Sequence, residues 1–263
     1  RQSVSFDQPT PAHDNHVVVA GVSKTYQLKE DAIESVRQIS LAIRRGGFVS
    51  ILGPSGCGKS TLLMMVAGIV APSAGQITIN GSAVMGPQRA TSVVFQTPVL
   101  FPWRTVLSNV LFPVEIFKLD RAAYQSEALK LLEMTGLTEF KDRLPEQLSG
   151  GMAQRVPLCR ALITNPELLL MDEPFSALDA LTRDDMNLEL LRVWEQFRKT
   201  VVFVTHSIRE AVFLSDRVVV LSPRPAVIVR DLEIDLPRPR GLDVQETPAF
   251  NRYCAELRSS LGR

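Results

Sequence analysis

The sequence has few cysteines and no long hydrophobic run. Its three cysteines, Cys57, Cys159 and Cys254, are odd in number, lie far apart and lack metal-ligand spacing, which predicts reduced thiols in a cytosolic compartment. No apolar run approaches the roughly 18 residues that cross a bilayer. The residues before His16 are polar and lack the apolar core of a signal peptide. We therefore expect a loose N-terminal tail over residues 1–15.

Net charge is also nearly absent. The 263 residues include 29 Lys and Arg against 28 Asp and Glu, a formal charge of +1, so nothing favours a nucleic-acid partner or an electrostatic membrane anchor. Repeats and low-complexity segments are missing too. A hydrophobic content of 45% and this length suit one large α/β domain, or a domain with an inserted subdomain.

The most informative motif present is a phosphate-binding loop that fits the pattern G-x-x-x-x-G-K-[ST]. Its residues are Gly53, Pro54, Ser55, Gly56, Cys57, Gly58, Lys59, Ser60 and Thr61. An apolar strand is predicted before it at 48–52 and a helix after it at 60–67, so backbone N–H groups and a helix N-terminus converge on an anion. Lys59 would add positive charge near the outer phosphates, and Ser60 would offer a hydroxyl to Mg²⁺. The sequence therefore predicts a nucleoside triphosphate site. Cys57 would place a thiol beside the phosphates, where bound nucleotide should block it.

Hydrophobic patterns around this motif predict a sequence of strands interrupted by a helical segment. Further strands are expected at 17–20, 39–43, 77–79, 92–95, 168–171, 201–204, 218–221 and 226–229, the last two as a closing hairpin. A helix carries Tyr124, Ala128, Leu131 and Leu132, and others are expected at 184–198 and 248–261. We expect a helical insert near residues 97–163 and a linker at 237–241.

Two carboxylates, Asp172 and Glu173, follow the apolar strand at 168–171. Asp172 is placed to hold Mg²⁺ through water, as in phosphate-loop NTPases. Glu173 could orient and deprotonate an attacking water. The alternative is that the pair only ends a strand, and the phosphate loop upstream favours the catalytic interpretation.

The segment Ser149-Gly150-Gly151 begins the next predicted helix, with Ser149 as its N-cap and two glycines that admit close approach of a ligand. Alone it could be an ordinary helix-start turn. In context, residues 148–155 resemble the signature motif of ABC transporter ATPases. The resemblance spans nearly the whole chain, since six features follow the family's order and spacing. They are the phosphate loop, Gln96, the signature, the acidic pair, residues 176–179 and His206.

The resemblance implies roles for several further residues. Tyr26 matches the aromatic residue that stacks on adenine, and Gln96 matches the glutamine that contacts Mg²⁺ and the attacking water. His206 matches the histidine at the γ-phosphate, and Asp179 the aspartate that crosses the dimer interface. The alternative is that these residues are structural. Tyr26 would then lie on a strand face, and Gln96 and His206 at strand ends. In this family two chains sandwich two ATP molecules, each between one phosphate loop and the other chain's Ser149-Gly150-Gly151 segment.

Two residues depart from the usual signature helix. Met152 replaces the commoner glutamine, and Pro157 lies several residues into the helix. Because proline removes a helical hydrogen bond and disfavours helical backbone before it, we predict a kink or a short first segment at Pro157.

Two apolar, proline-bearing strings indicate a branch of the family. Residues 95–106 follow Gln96 and could either be core of the insert or form a groove for a short helix of a membrane subunit. This string and residues 223–240 are similar to ATP-binding subunits of nitrate/sulfonate/taurine importers. The resemblance implies two ATPase chains, integral membrane permease subunits and, indirectly, a solute-binding protein, with this chain peripheral on the cytoplasmic face of the inner membrane.

We therefore expect an α/β fold, namely a P-loop NTPase core of the ABC ATPase type with an antiparallel β-subdomain and an inserted α-helical subdomain. The ATPase domain should cover 16–236, with a C-terminal extension over 237–263. ATP and Mg²⁺ are the expected cofactors, with no nucleic-acid partner. A soluble ABC ATPase, an exporter ATPase and a small-molecule kinase are the alternatives; the first usually has two cassettes or a coiled-coil insert, and the last leaves the signature unexplained.

Overall fold

A computed structural model of the chain describes residues 15–27 and 31–262. The predicted loose tail over 1–15 therefore lies outside the described residues, except for Asn15, which begins the first strand. The strands are β1 (Asn15–Gln27), β2 (Ala32–Arg44), β3 (Phe48–Leu52), β4 (Ala74–Ile79), β5 (Ser82–Ala83), β6 (Thr91–Val94), β7 (Leu168–Asp172), β8 (Thr200–Thr205), β9 (Arg217–Leu221) and β10 (Ile228–Glu233). The helices are α1 (Lys59–Val66), α2 (Val106–Val110), α3 (Phe112–Ile116), α4 (Arg121–Met134), α5 (Gly150–Leu162), α6 (Ala180–Phe197), α7 (Ile208–Leu214) and α8 (Pro248–Ser260), with short 3₁₀ turns at Thr138–Phe140, Pro145–Gln147 and Leu242–Glu246.

The strands form two sheets. One is antiparallel with the order β2-β1-β4-β5, and the other has the order β10-β9-β3-β8-β7-β6. In the second sheet β3 pairs in parallel with β8 and β9, and β7 pairs in parallel with β6 and β8. The antiparallel pair β9–β10 is the predicted closing hairpin. The predicted α/β class with an antiparallel layer is confirmed.

The parallel strands β3, β7 and β8 are mostly apolar and buried because the sheet is covered on both faces. In β7, Leu168 and Leu170 join a core shared with the antiparallel sheet and α1. Their neighbours Leu169 and Met171 join a larger core that contains the helices of the insert and α8. The sheet therefore holds its carboxyl-end loops, including the phosphate loop after β3, on a rigid base.

The segment between β6 and β7 is helical, as predicted. Its helices α2 and α4 begin at side-chain caps, since Thr105 accepts from the Ser108 N–H and Asp120 from the Ala122 N–H. The predicted apolar face of α4 is buried at Ala128, Leu131 and Leu132, while Tyr124 packs at its edge. The limits of this insert as a subdomain stay a prediction.

Helix α5 runs without interruption from Gly150 to Leu162 and contains Pro157. The predicted short first segment at Pro157 is therefore wrong, while the alternative prediction, a kink, stays a prediction. Val156, Leu158 and Cys159 beside it are fully or almost fully buried, and this packing on both sides of Pro157 offsets one lost backbone hydrogen bond.

Residues 237–241 form no helix or strand and connect β10 to the last 3₁₀ turn and α8. The linker stays a prediction, and one of its residues is buried. Arg240 is only 5% exposed, and its guanidinium donates to the carbonyls of Val212, Phe213 and Ser215 near the end of α7. A cation is favoured at a helix C-terminus, where carbonyls lack partners. Beyond it, α8 packs Phe250 into the larger core. No described helix is both long and apolar enough to cross a bilayer.

Candidate active site

The phosphate loop connects the buried strand β3 to α1. The Lys59 ammonium is buried and donates to the carbonyl oxygens of Gly53 at 3.0 Å and Pro54 at 2.9 Å. At Gly58 the backbone has φ +129°, and a Cβ there would lie 2.7 Å from the Ser35 carbonyl oxygen. Only glycine fits this position, so the second glycine of the motif is fixed by both backbone conformation and space.

Asp172 ends β7 next to the first turn of α1. The Ser60 hydroxyl donates to Asp172 Oδ1 at 2.9 Å, so two of the three side chains predicted to hold Mg²⁺ are brought together. Burial raises the pKa of Asp172, and the Ser60 hydrogen bond opposes this only in part. A hydroxyl and a carboxylate are hard oxygen ligands of the kind that suit Mg²⁺.

Glu173 lies between two groups that hold its carboxylate. Its Oε1 is 3.3 Å from Lys59 Nζ, and its Oε2 is 2.8 Å from His206 Nδ1. The backbone of Glu173 has φ 45°, an uncommon conformation for a residue other than glycine, and such strain clusters at functional sites. Its N–H donates to Val204 O at 2.9 Å. Lys59, Glu173 and His206 thus form one cluster at the carboxyl ends of β3, β7 and β8.

Gln96 follows β6 and reaches the same strand ends. Its Nε2 donates to Ser176 Oγ at 3.0 Å, three residues after Glu173. Its backbone carbonyl faces Gln154 Nε2 in α5 at 3.5 Å. Gln96 therefore connects the acidic segment to the signature helix within the chain.

The signature residues and Asp179 form a second cluster. Ser149 caps α5 by accepting from the Met152 N–H, as predicted. Asp179 caps α6 by accepting from the N–H and the hydroxyl of Thr182, and these bonds lower the pKa of its exposed carboxylate. Because of this cap α6 begins at Ala180, so the predicted start at 184 is wrong. A Cβ on Gly151 would lie 2.9 Å from Thr182 Cγ2, so the two helix starts are in close contact.

Tyr26 lies near the end of β1 on the antiparallel sheet. Its side chain is 39% exposed, with Lys24 Nζ 5.1 Å from the ring centre. Within the part of the chain that the structure describes, no hydrogen bond or aromatic contact joins Tyr26 to the phosphate loop. Its exposed ring can therefore take a planar ligand, while its adenine role stays a prediction.

The Cys57 thiol does not lie open beside the phosphates. The residue is 2% exposed, and a Cβ on Gly53 would meet its sulfur at 3.0 Å. Burial raises the pKa of the thiol. The expectation that nucleotide must block this thiol is therefore wrong, because the fold itself encloses it.

Two residues that contact the phosphate loop were not predicted from the sequence as site residues. Ser35 Oγ donates to Thr61 Oγ1 at 3.2 Å, and Arg224 donates to the Gly56 carbonyl from 168 residues away. No spacing rule links such distant positions. The only signal was the proline-bearing string around Arg224, which sequence similarity singled out as a branch marker.

Comparison with known proteins agrees with this geometry. The family model described as ABC transporter matches residues 36–176. The chain is 44% identical to a taurine import ATP-binding protein, TauB, of Rhizobium johnstonii, over 87% of this chain and 89% of that protein. It is 46% identical to an uncharacterized ABC transporter ATP-binding protein of Methanocaldococcus jannaschii, over 84% of this chain and 83% of that protein.

A solved structure gives the same result. A dimeric ATP-binding cassette in a post-hydrolysis state, bound to ADP and phosphate, superimposes with a TM-score of 0.72 at 33% identity, covering 86% of this chain and all of that one. The ATP-binding subunits of ABC transporters, which hydrolyse ATP, are therefore the family to which this chain belongs.

Proposed function

We propose that this chain energises an ABC importer for a small solute of the nitrate, sulfonate or taurine class. The observation that carries the proposal is its 42–45% identity to proteins named taurine import ATP-binding protein. Exporter and soluble ABC ATPases are the alternatives. The importer proposal also predicts where a membrane subunit would bind.

An exposed apolar surface supports such a partner. Trp103 is 74% exposed and Val99 55% exposed, a few residues after Gln96. They are held in place, because Arg160 Nη1 donates to the Val99 carbonyl at 2.6 Å, and Asn109 accepts from the Phe101 N–H and donates to its carbonyl. Exposed apolar groups on a fixed loop suit a docking site. We assign this surface, Val99 and Trp103, to a short helix of a permease subunit.

The chemistry follows from the cluster around Glu173. Glu173 would accept the proton of the attacking water, with His206 orienting its carboxylate. Lys59 would turn from the loop carbonyls toward the outer phosphates, whose charge it would stabilise. Mg²⁺, held by Ser60, Asp172 and Gln96, would supply further charge stabilisation when bound.

A second copy of the chain would complete each site. The signature residues Ser149, Gly150 and Gly151 start an exposed helix end that could reach the γ-phosphate of the other copy, and Asp179 beside them would cross the interface. The dimeric cassette to which the chain is similar supports this arrangement. ATP would favour the closed dimer and hydrolysis the open one, so a population shift would do the work. The chain would act on the cytoplasmic face of the inner membrane.

The test is to tag the chain in its host, solubilise membranes and identify what co-purifies. We expect a stoichiometric, very hydrophobic permease, and loss of its recovery with Trp103→Ala. Met85→Ala is the matched control, because Met85 is an apolar residue 92% exposed just after β5, outside the Val99 and Trp103 surface. Recovery only from the soluble fraction with no membrane partner would reject the importer and leave a soluble ABC ATPase.

A further inference from the structure

The loop between β9 and β10 reaches the phosphate loop through one arginine. Arg224 Nη2 donates to the Gly56 carbonyl oxygen at 2.7 Å. Arg224 forms no salt bridge within the described residues. Its guanidinium therefore has a neutral carbonyl of the phosphate loop as its partner. By contrast, Arg230 on the same hairpin pairs with the carboxylate of Glu256.

The arginine extends from a fixed platform. Ser222 Oγ accepts from the Val227 N–H and donates to the Pro225 carbonyl, both at 3.1 Å. The Ala226 N–H donates to Ser35 O at 2.9 Å, and that same oxygen limits the space at Gly58. The β9–β10 loop and β2 therefore support the phosphate loop together.

The accepting carbonyl shares its peptide group with the Cys57 N–H. In a phosphate loop the backbone N–H groups serve the anion, and the Cys57 N–H has only a long contact to Pro54 O at 3.4 Å. A charged donor on the carbonyl polarises the peptide and makes its N–H a stronger donor. The Arg224 guanidinium therefore affects phosphate binding through the peptide group that joins Gly56 to Cys57.

We propose that Arg224 is a positioning residue for nucleotide binding, which fixes Gly56 and strengthens the Cys57 N–H as a donor to a nucleotide phosphate. The effect should be the same for ATP and ADP, because a backbone donor of the loop serves phosphates that both nucleotides carry. Loss of the Arg224 side chain should lower nucleotide affinity without lowering the stability of the fold, since Arg224 lies on the surface.

The test is isothermal titration of the full chain with ATP and with ADP, for Arg224→Ala, Arg224→Lys and Arg230→Ala. We expect Arg224→Ala to raise both dissociation constants about tenfold, in the range of one charge-assisted hydrogen bond. Arg224→Lys keeps a cation and should stay within about threefold of the parent by the same reasoning. Arg230→Ala, on the same hairpin, should bind as the parent does.

The melting temperature of the nucleotide-free variants separates this role from a structural one. We expect Arg224→Ala to melt with the parent. Parental affinity in Arg224→Ala would overturn the proposal. So would an Arg224→Lys variant as weak as Arg224→Ala, since charge would then not be the cause, or a lower melting temperature that accompanies the affinity loss.

Discussion

Lys59 Nζ and Glu173 Oε1 lie 3.3 Å apart, with both side chains largely enclosed. The cation expected to bind phosphate is therefore paired with the carboxylate expected to activate water. Nucleotide phosphates would have to replace that carboxylate as the partner of Lys59. Binding of phosphate by Lys59 is therefore linked to release of the Glu173 carboxylate from Lys59, because the two residues share one ion pair.

Replacing Glu173 by Gln should stop hydrolysis while ATP still binds. The amide cannot accept the water proton, so the rate should fall by about 10² to 10⁴, and the freed Lys59 should bind ATP at least as well as before. Phosphate release and size-exclusion chromatography with ATP measure both effects, with a trapped dimer expected. Glu127→Gln, whose side chain is 41% exposed on the outer side of α4, is the control. Hydrolysis at the parental rate would show that Glu173 is not the base.

Gly151→Ala should destabilise the chain through Thr182. The new Cβ would lie 2.9 Å from Thr182 Cγ2, and such overpacking costs about 1–3 kcal/mol. Thr182→Ser removes that methyl group and keeps the hydroxyl that donates to Asp179. We therefore expect the double variant to regain most of the melting temperature, as thermal unfolding would show. Absence of rescue would mean that the methyl contact is not the cause.

Pro157→Ala should raise thermal stability without loss of ATPase activity. It restores a backbone donor inside continuous α5, relieving about 3 kcal/mol, and removes two buried methylene groups worth about 0.8 kcal/mol each. The net gain of about 1 kcal/mol corresponds to a rise in Tm of about 3 °C. Calorimetry and phosphate release are the measurements, and a fall in either quantity contradicts the expectation.

Asp172→Asn should stabilise the nucleotide-free chain at neutral pH. Burial raises the folded-state pKa of Asp172, so its ionised form disfavours folding above that pKa, and this disadvantage vanishes as pH falls below the unfolded pKa. We expect a Tm about 2 °C above the parent at pH 7.5, with the difference shrinking toward pH 4. Added Mg²⁺ and ATP should stabilise the parent more than the variant. A difference in Tm that does not depend on pH would exclude ionisation as the cause.

Cys57 should react slowly with a disulfide reagent even without nucleotide. Cys57, Cys159 and Cys254 are all buried, and burial raises the pKa of each thiol, so little thiolate is present at neutral pH. The rate at pH 8 should be similar with and without ATP and rise steeply after denaturation. Rapid modification of Cys57 that ATP prevents would show an open thiol beside the phosphates.

The local sequence was sufficient to predict the parts of this protein that depend on neighbouring residues. The β3 strand at Phe48–Leu52, the Ser149 cap and the apolar runs of β7 and β8 follow from side-chain period, capping chemistry and burial. The family and the grouping of Lys59, Glu173 and His206 at the strand ends followed from motifs in order. Parallel strands bring such motifs to one edge.

Tertiary structure decided what depends on partners distant in sequence. Packing on both sides of Pro157 keeps α5 continuous. Arg240 is buried because it donates to carbonyls at the end of α7. Cys57 is enclosed by its neighbours in the fold. The contact of Arg224 with Gly56 depends on how the β9–β10 loop rests on β2. Local propensity costs a few kcal/mol at most, and the burial of many side chains at once exceeds it, so these outcomes became visible only in the fold.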